Sequence, residues 1–263
     1  MTFELHAHRG IPKIYPENTL EGFAYAIKLG AKVLEVDVVV NRDHELIVSH
    51  DPFMRSDLCK SPSGLLIRNE REHNLYELTT QEIKQYDVGS LPSNQFPGQM
   101  NKKLSKPSFQ DLAELMGKYP NVRLNIEVKS EEKYYGLFQP RPKVYAQILI
   151  SEIQQLKCQF MIQSFDTCFL NELYKLRPDV ALGLLVNSVT DPSLDLALLD
   201  FLPNYYNPNF NYLTCDMMQY LRSNDIKVVP WTVNDLTKAN ELVEMGVDGL
   251  ITDKIDEFLK FFG

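Results

Sequence analysis

Two carboxylates on alternate positions of one apolar run, Glu35 and Asp37 in VLEVDVVV, are the residues through which the chemistry of this chain first becomes legible. Residues i and i+2 of a strand face the same side. Buried carboxylates that close repel each other and lose hydration, so a strand keeps such a pair where something cationic sits between them. The surrounding sequence supplies partners: His8-Arg9-Gly10, then Pro16-Glu17-Asn18-Thr19, His50-Asp51, and Glu127-Val128-Lys129, a second alternating pair of charges in an apolar run. Carboxylate oxygens suit hard cations, Mg²⁺ or Ca²⁺. Glu35, Asp37 and Glu127 against Arg9 and Lys129 leave one excess negative charge. A divalent cation would make the group net positive, and a singly charged phosphodiester would then neutralise it. The cation would polarise a phosphoryl oxygen and Arg9 would clamp another. His8 and His50 would supply an acid and a base near neutral pH. His8, beside Arg9, is the expected acid and His50 the expected base, an order these residues leave open. Trp231, the one tryptophan, is expected to wall the substrate pocket. Asp51 is expected to orient the turn after His50. His6 is read as a packing residue, and His44 and His73 as solvent-facing.

These groups need a frame that brings them together. Short apolar runs at 3–9, 33–40, 45–49, 123–129, 160–164, 181–186, 227–231 and 249–252, with a weaker one at 204–206, alternate with helical patterns at 18–29, 108–118, 142–156, 167–176, 192–201, 214–223, 235–245 and 255–262. Start signals precede three of the helices, at Asp166-Thr167, Thr190-Asp191-Pro192 and Asn234-Asp235. Alternating strands and helices imply βαβ units and a parallel sheet. Nine strands exceed an eightfold barrel by one. Only Asn41–His44 separate the second and third runs, too few residues for a parallel crossover, so 45–49 must return antiparallel as a hairpin and carry His50 back towards Glu35 and Asp37. The expected architecture is an α/β TIM (β/α)₈ barrel forming a single domain over 1–263. It carries a β-hairpin extension after the second strand and a lid-like insertion at the barrel mouth over about 51–107, rich in Pro, Gly, Ser and Asn around an amphipathic piece at 79–86. In such barrels the site lies at the C-terminal ends of the strands, where the charged residues above all fall.

The bulk composition is that of an ordinary globular chain: 263 residues, 44% hydrophobic, 24% charged, net charge -8. The acidic balance argues against nucleic-acid and anionic-lipid partners, which draw on Lys and Arg. No apolar run approaches the roughly 20 residues that span a bilayer, and no signal-type apolar region fits ahead of His8. The expected location is therefore cytoplasmic. Cys59, Cys158, Cys168 and Cys215 lack metal-type spacing and are expected as reduced packing thiols.

The ordered set His8-Arg9-Gly10, Pro16-Glu17-Asn18-Thr19-Leu20, Glu35-x-Asp37, His50-Asp51, Leu78-Thr79 with Asp87-Val88-Gly89, Glu127-x-Lys129, Ser164-Phe165, Trp231-Thr232-Val233-Asn234 and Asp248 to Asp253 resembles the glycerophosphodiester phosphodiesterase family over nearly the whole chain. The resemblance implies a distorted TIM barrel and metal-dependent cleavage of glycerophosphodiesters to glycerol 3-phosphate and an alcohol. It also implies metal ligation by Glu35, Asp37 and Glu127, acid–base work by His8 and His50, and Arg9 and Lys129 at the phosphate. One departure stands out. Where relatives often continue the His-Asp motif with a polar stretch, this chain reads Pro52-Phe53-Met54-Arg55, so the entry to the insertion and the preferred alcohol are open. A lipid-directed lysophospholipase D or phospholipase C is the alternative enzyme. It would use an apolar rim at Phe53, Leu65, Leu66, Ile67 and Phe96. An inactive barrel serving as a binding module is the alternative outside catalysis.

Overall fold

The computed structural model describes residues 3–263. Among the described residues nine strands form one sheet: β1 (Glu4–His8), β2 (Val33–Val40), β3 (Leu46–Val48), β4 (Arg123–Val128), β5 (Phe160–Ser164), β6 (Leu182–Val186), β7 (Tyr205–Pro208), β8 (Lys227–Val228) and β9 (Gly249–Thr252). Eight run parallel in the order β8-β7-β6-β5-β4-β2-β1-β9, and β3 pairs antiparallel with β2. Backbone bonds from Asp248 to Val228 (2.8 Å) and from Ile251 to Pro230 (3.0 Å) bring the two ends of that order together, so the sheet closes as a barrel. The expected (β/α)₈ architecture and its antiparallel return strand are both present.

Helices α1 (Leu20–Leu29), α2 (Thr80–Ile83), α3 (Phe109–Met116), α4 (Pro142–Ile153), α5 (Thr167–Leu176), α6 (Pro192–Leu196), α7 (Cys215–Ser223), α8 (Leu236–Met245) and α9 (Ile255–Phe262) follow the sequence signals closely. Asp166, Asp191 and Asp235 cap α5, α6 and α8 by accepting from backbone N–H groups of the first turn. The inner helix faces bury Phe23, Phe109, Tyr145, Phe169 and Phe258 completely against the barrel. These five rings fill the layer between strands and helices.

Two elements are shorter than expected, each for a physical reason. Helix α6 ends at Leu196 because Asn171 of α5 captures the backbone beyond it, donating to the Leu198 carbonyl (3.0 Å) and accepting from Asp200 N (2.8 Å). The ladder of β8 stops at Val228 because Pro230 has no N–H to give. The chain nevertheless keeps its course: Trp231 N donates to Pro208 O at 3.1 Å.

Residues 51–107 pack around a small core of their own. Met54, Cys59, Ile67, Leu75, Ile83 and Leu104 form it on Val39 and Ile47 of the β2–β3 hairpin. Gln99 ties the segment to the loop after β1 through the carbonyls of Pro12 (2.6 Å) and Tyr15 (3.2 Å). Ile67 belongs to that core, which removes it from the apolar rim a lipid-directed enzyme would need. His73, expected at the surface, is half-buried and bonds to the Tyr86 hydroxyl at 2.8 Å. His44 is exposed in the hairpin turn. Cys59 and Cys158 pack inside, whereas Cys168 and Cys215 are exposed and are not packing residues.

His6 lies at the closed end of the barrel, fully buried, its Nδ1 meeting Asn125 Nδ2 at 3.2 Å. Burial lowers its pKa below the usual imidazole value. Beside it, Glu4 bonds Arg123 at 2.5 Å and reaches His6 at a longer 3.5 Å. Burial opposes ionisation of Glu4, but His6 and Arg123 outweigh it and pull the carboxyl down to about 2. A carboxyl depressed in the fold contributes stability that is complete above its ordinary range near 4.5 and fades as pH falls towards 2. Acid unfolding followed by circular dichroism should therefore show a smaller stability loss between pH 5 and pH 2 in Glu4→Gln than in the parent. Equal losses would remove Glu4 from the acid-sensitive set.

Candidate active site

The register of the barrel assembles the mouth. His8 of β1 lies beside Glu35 of β2, Asp37 beside Glu127 of β4, and Glu127 beside Gln163 of β5. The three carboxylates each offer an oxygen within 4.8 Å of the others, and all three are buried. A cavity of about 250 Å³ at this level is lined by His8, Arg9, Glu35, His50, Glu127 and Lys129, together with Trp231 and Phe165. Every site residue expected from sequence thus reaches one place: Asp37, below the cavity, contacts both Arg9 and Lys129.

The local chain explains how. Arg9 adopts a left-handed backbone (φ 50°), which non-glycine residues rarely do. That turn points its amide at Glu35 (3.1 Å) and swings its guanidinium to Asp37 (Nε to Oδ2, 3.0 Å) and Glu17 (3.1 Å). Gly10 follows at φ 89° against α1, where an added Cβ would come within 3.0 Å of the Gly22 backbone. The Pro16–Thr19 motif then divides its labour. Glu17 holds Arg9. Asn18 donates to Asp37 (2.8 Å) and accepts from its amide (3.3 Å). Thr19 caps α1.

The electrostatics are those of a crowded acidic cluster with too few internal cations. Burial, then Asp37 and Glu127, push the Glu35 carboxyl well above the ordinary range. Burial would raise Asp37 as well, but Arg9 and then Lys129 more than offset it and hold this carboxylate ionised. Lys129 bonds Glu127 directly and stands 3.6 Å from Asp37. Asp37 Oδ1 is buried and has no hydrogen-bond partner. A buried carboxylate oxygen without a hydrogen bond, within a trio of all-oxygen donors, fits a hard divalent cation in number, charge and softness.

Several partners carried no role in the sequence. Asp253, directly after β9, accepts from His8 Nδ1 at 2.6 Å, and Asn234 holds the other Asp253 oxygen at 2.6 Å. Burial would raise Asp253, yet its bond to His8 keeps it below the usual carboxylate range. Because a carboxylate only accepts, the proton sits on Nδ1 and His8 Nε2 is left free. His50 makes a looser pair with Asp51 (3.1 Å), so Asp51 orients the imidazole as well as the turn. Gln163 reaches Glu35 (3.4 Å) and is itself held by Asn207 (2.7 Å). Trp231 donates to the Asn207 carbonyl (2.8 Å) and packs edge-to-face on Phe165 (5.5 Å). The register could have pointed to Asp253: β9 pairs with β1 through Thr252 and Ala7, which sets Asp253 next to His8.

Fold and mouth together define a class: (β/α)₈ barrels whose acids and bases converge at the strand C-termini around one small cavity. Comparison with known proteins narrows it. The Glycerophosphoryl diester phosphodiesterase family matches residues 8–257. A glycerophosphodiester phosphodiesterase of Caldanaerobacter subterraneus subsp. tengcongensis is 28% identical, covering 94% of this chain and 92% of its own. Two solved structures share the fold. An Oleispira antarctica phosphodiesterase, in complex with the product sn-glycerol-3-phosphate, superposes with a TM-score of 0.80 at 22% identity, covering 98% of this chain and 95% of that one. The Thermotoga maritima glycerophosphodiester phosphodiesterase gives 0.72 at 22% identity, covering 99% and 98%. The chain belongs to the glycerophosphoryl diester phosphodiesterase family, and it is an enzyme of the phosphodiesterase class. Among the described residues no helix is long and apolar enough to cross a membrane.

Proposed function

We propose that this chain hydrolyses small glycerophosphodiesters to glycerol 3-phosphate and the free alcohol, with a divalent cation, Mg²⁺ or Ca²⁺, held by Glu35, Asp37 and Glu127. The observation that carries the reading is the convergence of two histidines, Arg9, Lys129, Glu35 and Glu127 on one cavity of about 250 Å³, with Asp37 completing the carboxylate trio beside it. When bound, the cation would supply Lewis-acid polarisation of a phosphoryl oxygen. Arg9 and Lys129 would bind the remaining phosphate oxygens. Trp231 would wall the glycerol side, its ring fixed by Asn207 and Phe165.

The geometry favours the opposite order of acid and base from the sequence expectation. His8 is locked by the buried Asp253 and Asn234, and its Nε2 is the better-placed base for the proton of the attacking hydroxyl. That hydroxyl is either the glycerol's own, giving a cyclic phosphate that water then opens, or water itself. His50 lines the inner cavity and also an adjoining groove of about 370 Å³ that His8 does not touch. An alcohol leaving outwards passes His50, which would protonate its oxygen as the P–O bond breaks.

Measuring glycerol 3-phosphate released from a water-soluble headgroup diester and from a long-chain lysophospholipid, side by side, tests the substrate class. Turnover of the soluble diester at about tenfold or greater kcat/KM is expected. Preference for the lysophospholipid would favour the lipid-directed alternative.

A further inference from the structure

A further cavity, of about 300 Å³, lies at the end of the barrel opposite the catalytic mouth. That volume falls at the lower end of the range for small-molecule sites. Its wall takes His6, Val33, Arg123, Met161, Ala181 and Tyr205 from six neighbouring strands or the residues leading into them. His6, Arg123 and Met161 precede His8, Glu127 and Gln163 on the same strands. The cavity therefore underlies the catalytic layer, and it shares no wall residue with it.

We propose that this cavity binds a small organic carboxylate, a monoanion with a compact apolar body, held by Arg123 and Arg177. Both arginines line it, and Lys227 Nζ stands 5.3 Å over the ring of Tyr205 on the same wall. Against these three cations stand two carboxylates, Asp179 on the wall and Glu4 behind Arg123. With His6 neutral, one positive charge is left over. The guanidiniums also keep donors to spare. Arg177 spends Nε and Nη2 on Asp179 (2.8 and 2.7 Å), which leaves Nη1. Arg123 gives Nη2 to Glu4 at 2.5 Å. A guanidinium carries five N–H donors in a planar fork that matches a carboxylate.

His6 points the same way independently of the arginines. Its ring is fully buried on this wall, yet Nε2 has no hydrogen-bond partner. Asn125 donates to Nδ1 at 3.2 Å, so the neutral ring carries its proton on Nε2. Glu4 Oε2 stands 3.5 Å off, too far for a good bond. A buried donor left unpaired is costly, and a ligand oxygen at the inner end of the cavity would satisfy it. The remaining wall includes Val33, Leu124, Met161, Val180 and Ala181. A bare inorganic anion would leave these side chains against water. A hydrocarbon body covers them while its carboxylate meets the arginines.

The test uses benzoate as the probe and benzamide as its neutral twin, each titrated calorimetrically into the full chain. Benzoate should bind saturably with a Kd of about 1 mM or tighter. Benzamide should bind about fivefold more weakly or worse, because it lacks the charge that the guanidiniums recognise. Arg177→Met, a change at the rim that leaves the barrel folded, should weaken benzoate by about fivefold or more. Ala181→Leu, which fills the cavity, should abolish binding in a protein whose circular dichroism matches the parent. Benzoate should also shift the Met161 methyl resonance and leave the Trp231 indole resonance, which reports the catalytic cavity, in place. No saturable binding by the parent means a cavity that holds water only, and overturns the site. Equal affinity for benzamide, indifference to Arg177→Met, or movement of Trp231 in place of Met161 overturns it as well.

Discussion

Glu35→Gln, Asp37→Asn and Glu127→Gln should each lower turnover of a glycerophosphodiester by about a thousandfold or more while leaving the barrel folded. Each change is nearly isosteric and removes one of the charges that make the cluster a place for a cation. A Lewis acid at a phosphoryl oxygen is worth several kcal/mol, and about 1.4 kcal/mol is a factor of ten. The three variants differ in what else they disturb. Asp37 also anchors Arg9 and Asn18, so Asp37→Asn should raise KM as well as lower kcat. The Glu35 carboxylate accepts hydrogen bonds from the Arg9 amide and, weakly, Gln163, and bonds no charged side chain, so Glu35→Gln should act mainly on kcat. Calorimetric titration with Mg²⁺ and Ca²⁺ gives an independent reading, because each variant should bind the ion at least tenfold more weakly. Binding and turnover close to the parent in any one of them would remove that carboxylate from the ligand set.

The histidines carry the second large effect. Loss of a general acid or base costs roughly a hundredfold to ten-thousandfold. His8→Ala and His50→Ala should both fall in that range with an unactivated diester. They should separate when the leaving group is a nitrophenol, which departs without a proton. The activated diester should largely rescue His50→Ala and leave His8→Ala impaired. Asp253→Asn should resemble a milder His8→Ala and share its failure to be rescued, because Asp253 bonds His8 and lines neither the cavity nor the adjoining groove. Rescue of His8→Ala in place of His50→Ala would restore the order first expected from sequence. Near-normal rates in both would end the acid–base mechanism.

The strand patterns, the hairpin return of 46–48 and the charged pairs were legible because they are local: alternation, a four-residue turn and i, i+2 spacing each act over a few residues. What sequence left unread depends on closure. Asp253 reaches His8 across 245 residues, and nothing near either residue announces the pair. Gln163 and Asn207 read as ordinary polar residues in apolar strands until the register lines them up behind Glu35. The insertion was visible by its Pro and Gly content, but not its inner core, because Met54, Cys59, Ile67, Leu75 and Ile83 follow no single period. The shortness of α6 was hidden because its terminator, Asn171, sits on a different helix. The resemblance pointed to the site residues, and the structure adds the groups that hold them.

The cavity is expected to cleave glycerophosphodiesters with a divalent cation, releasing glycerol 3-phosphate. The most direct measurement is to assay both products from sn-glycero-3-phosphocholine with the metal-depleted protein, and again after adding back Mg²⁺ or Ca²⁺. Glycerol 3-phosphate and choline should be formed in equal amounts, only in the presence of the ion. Undiminished turnover after exhaustive chelation, or release of glycerol and phosphocholine in their place, would contradict the account.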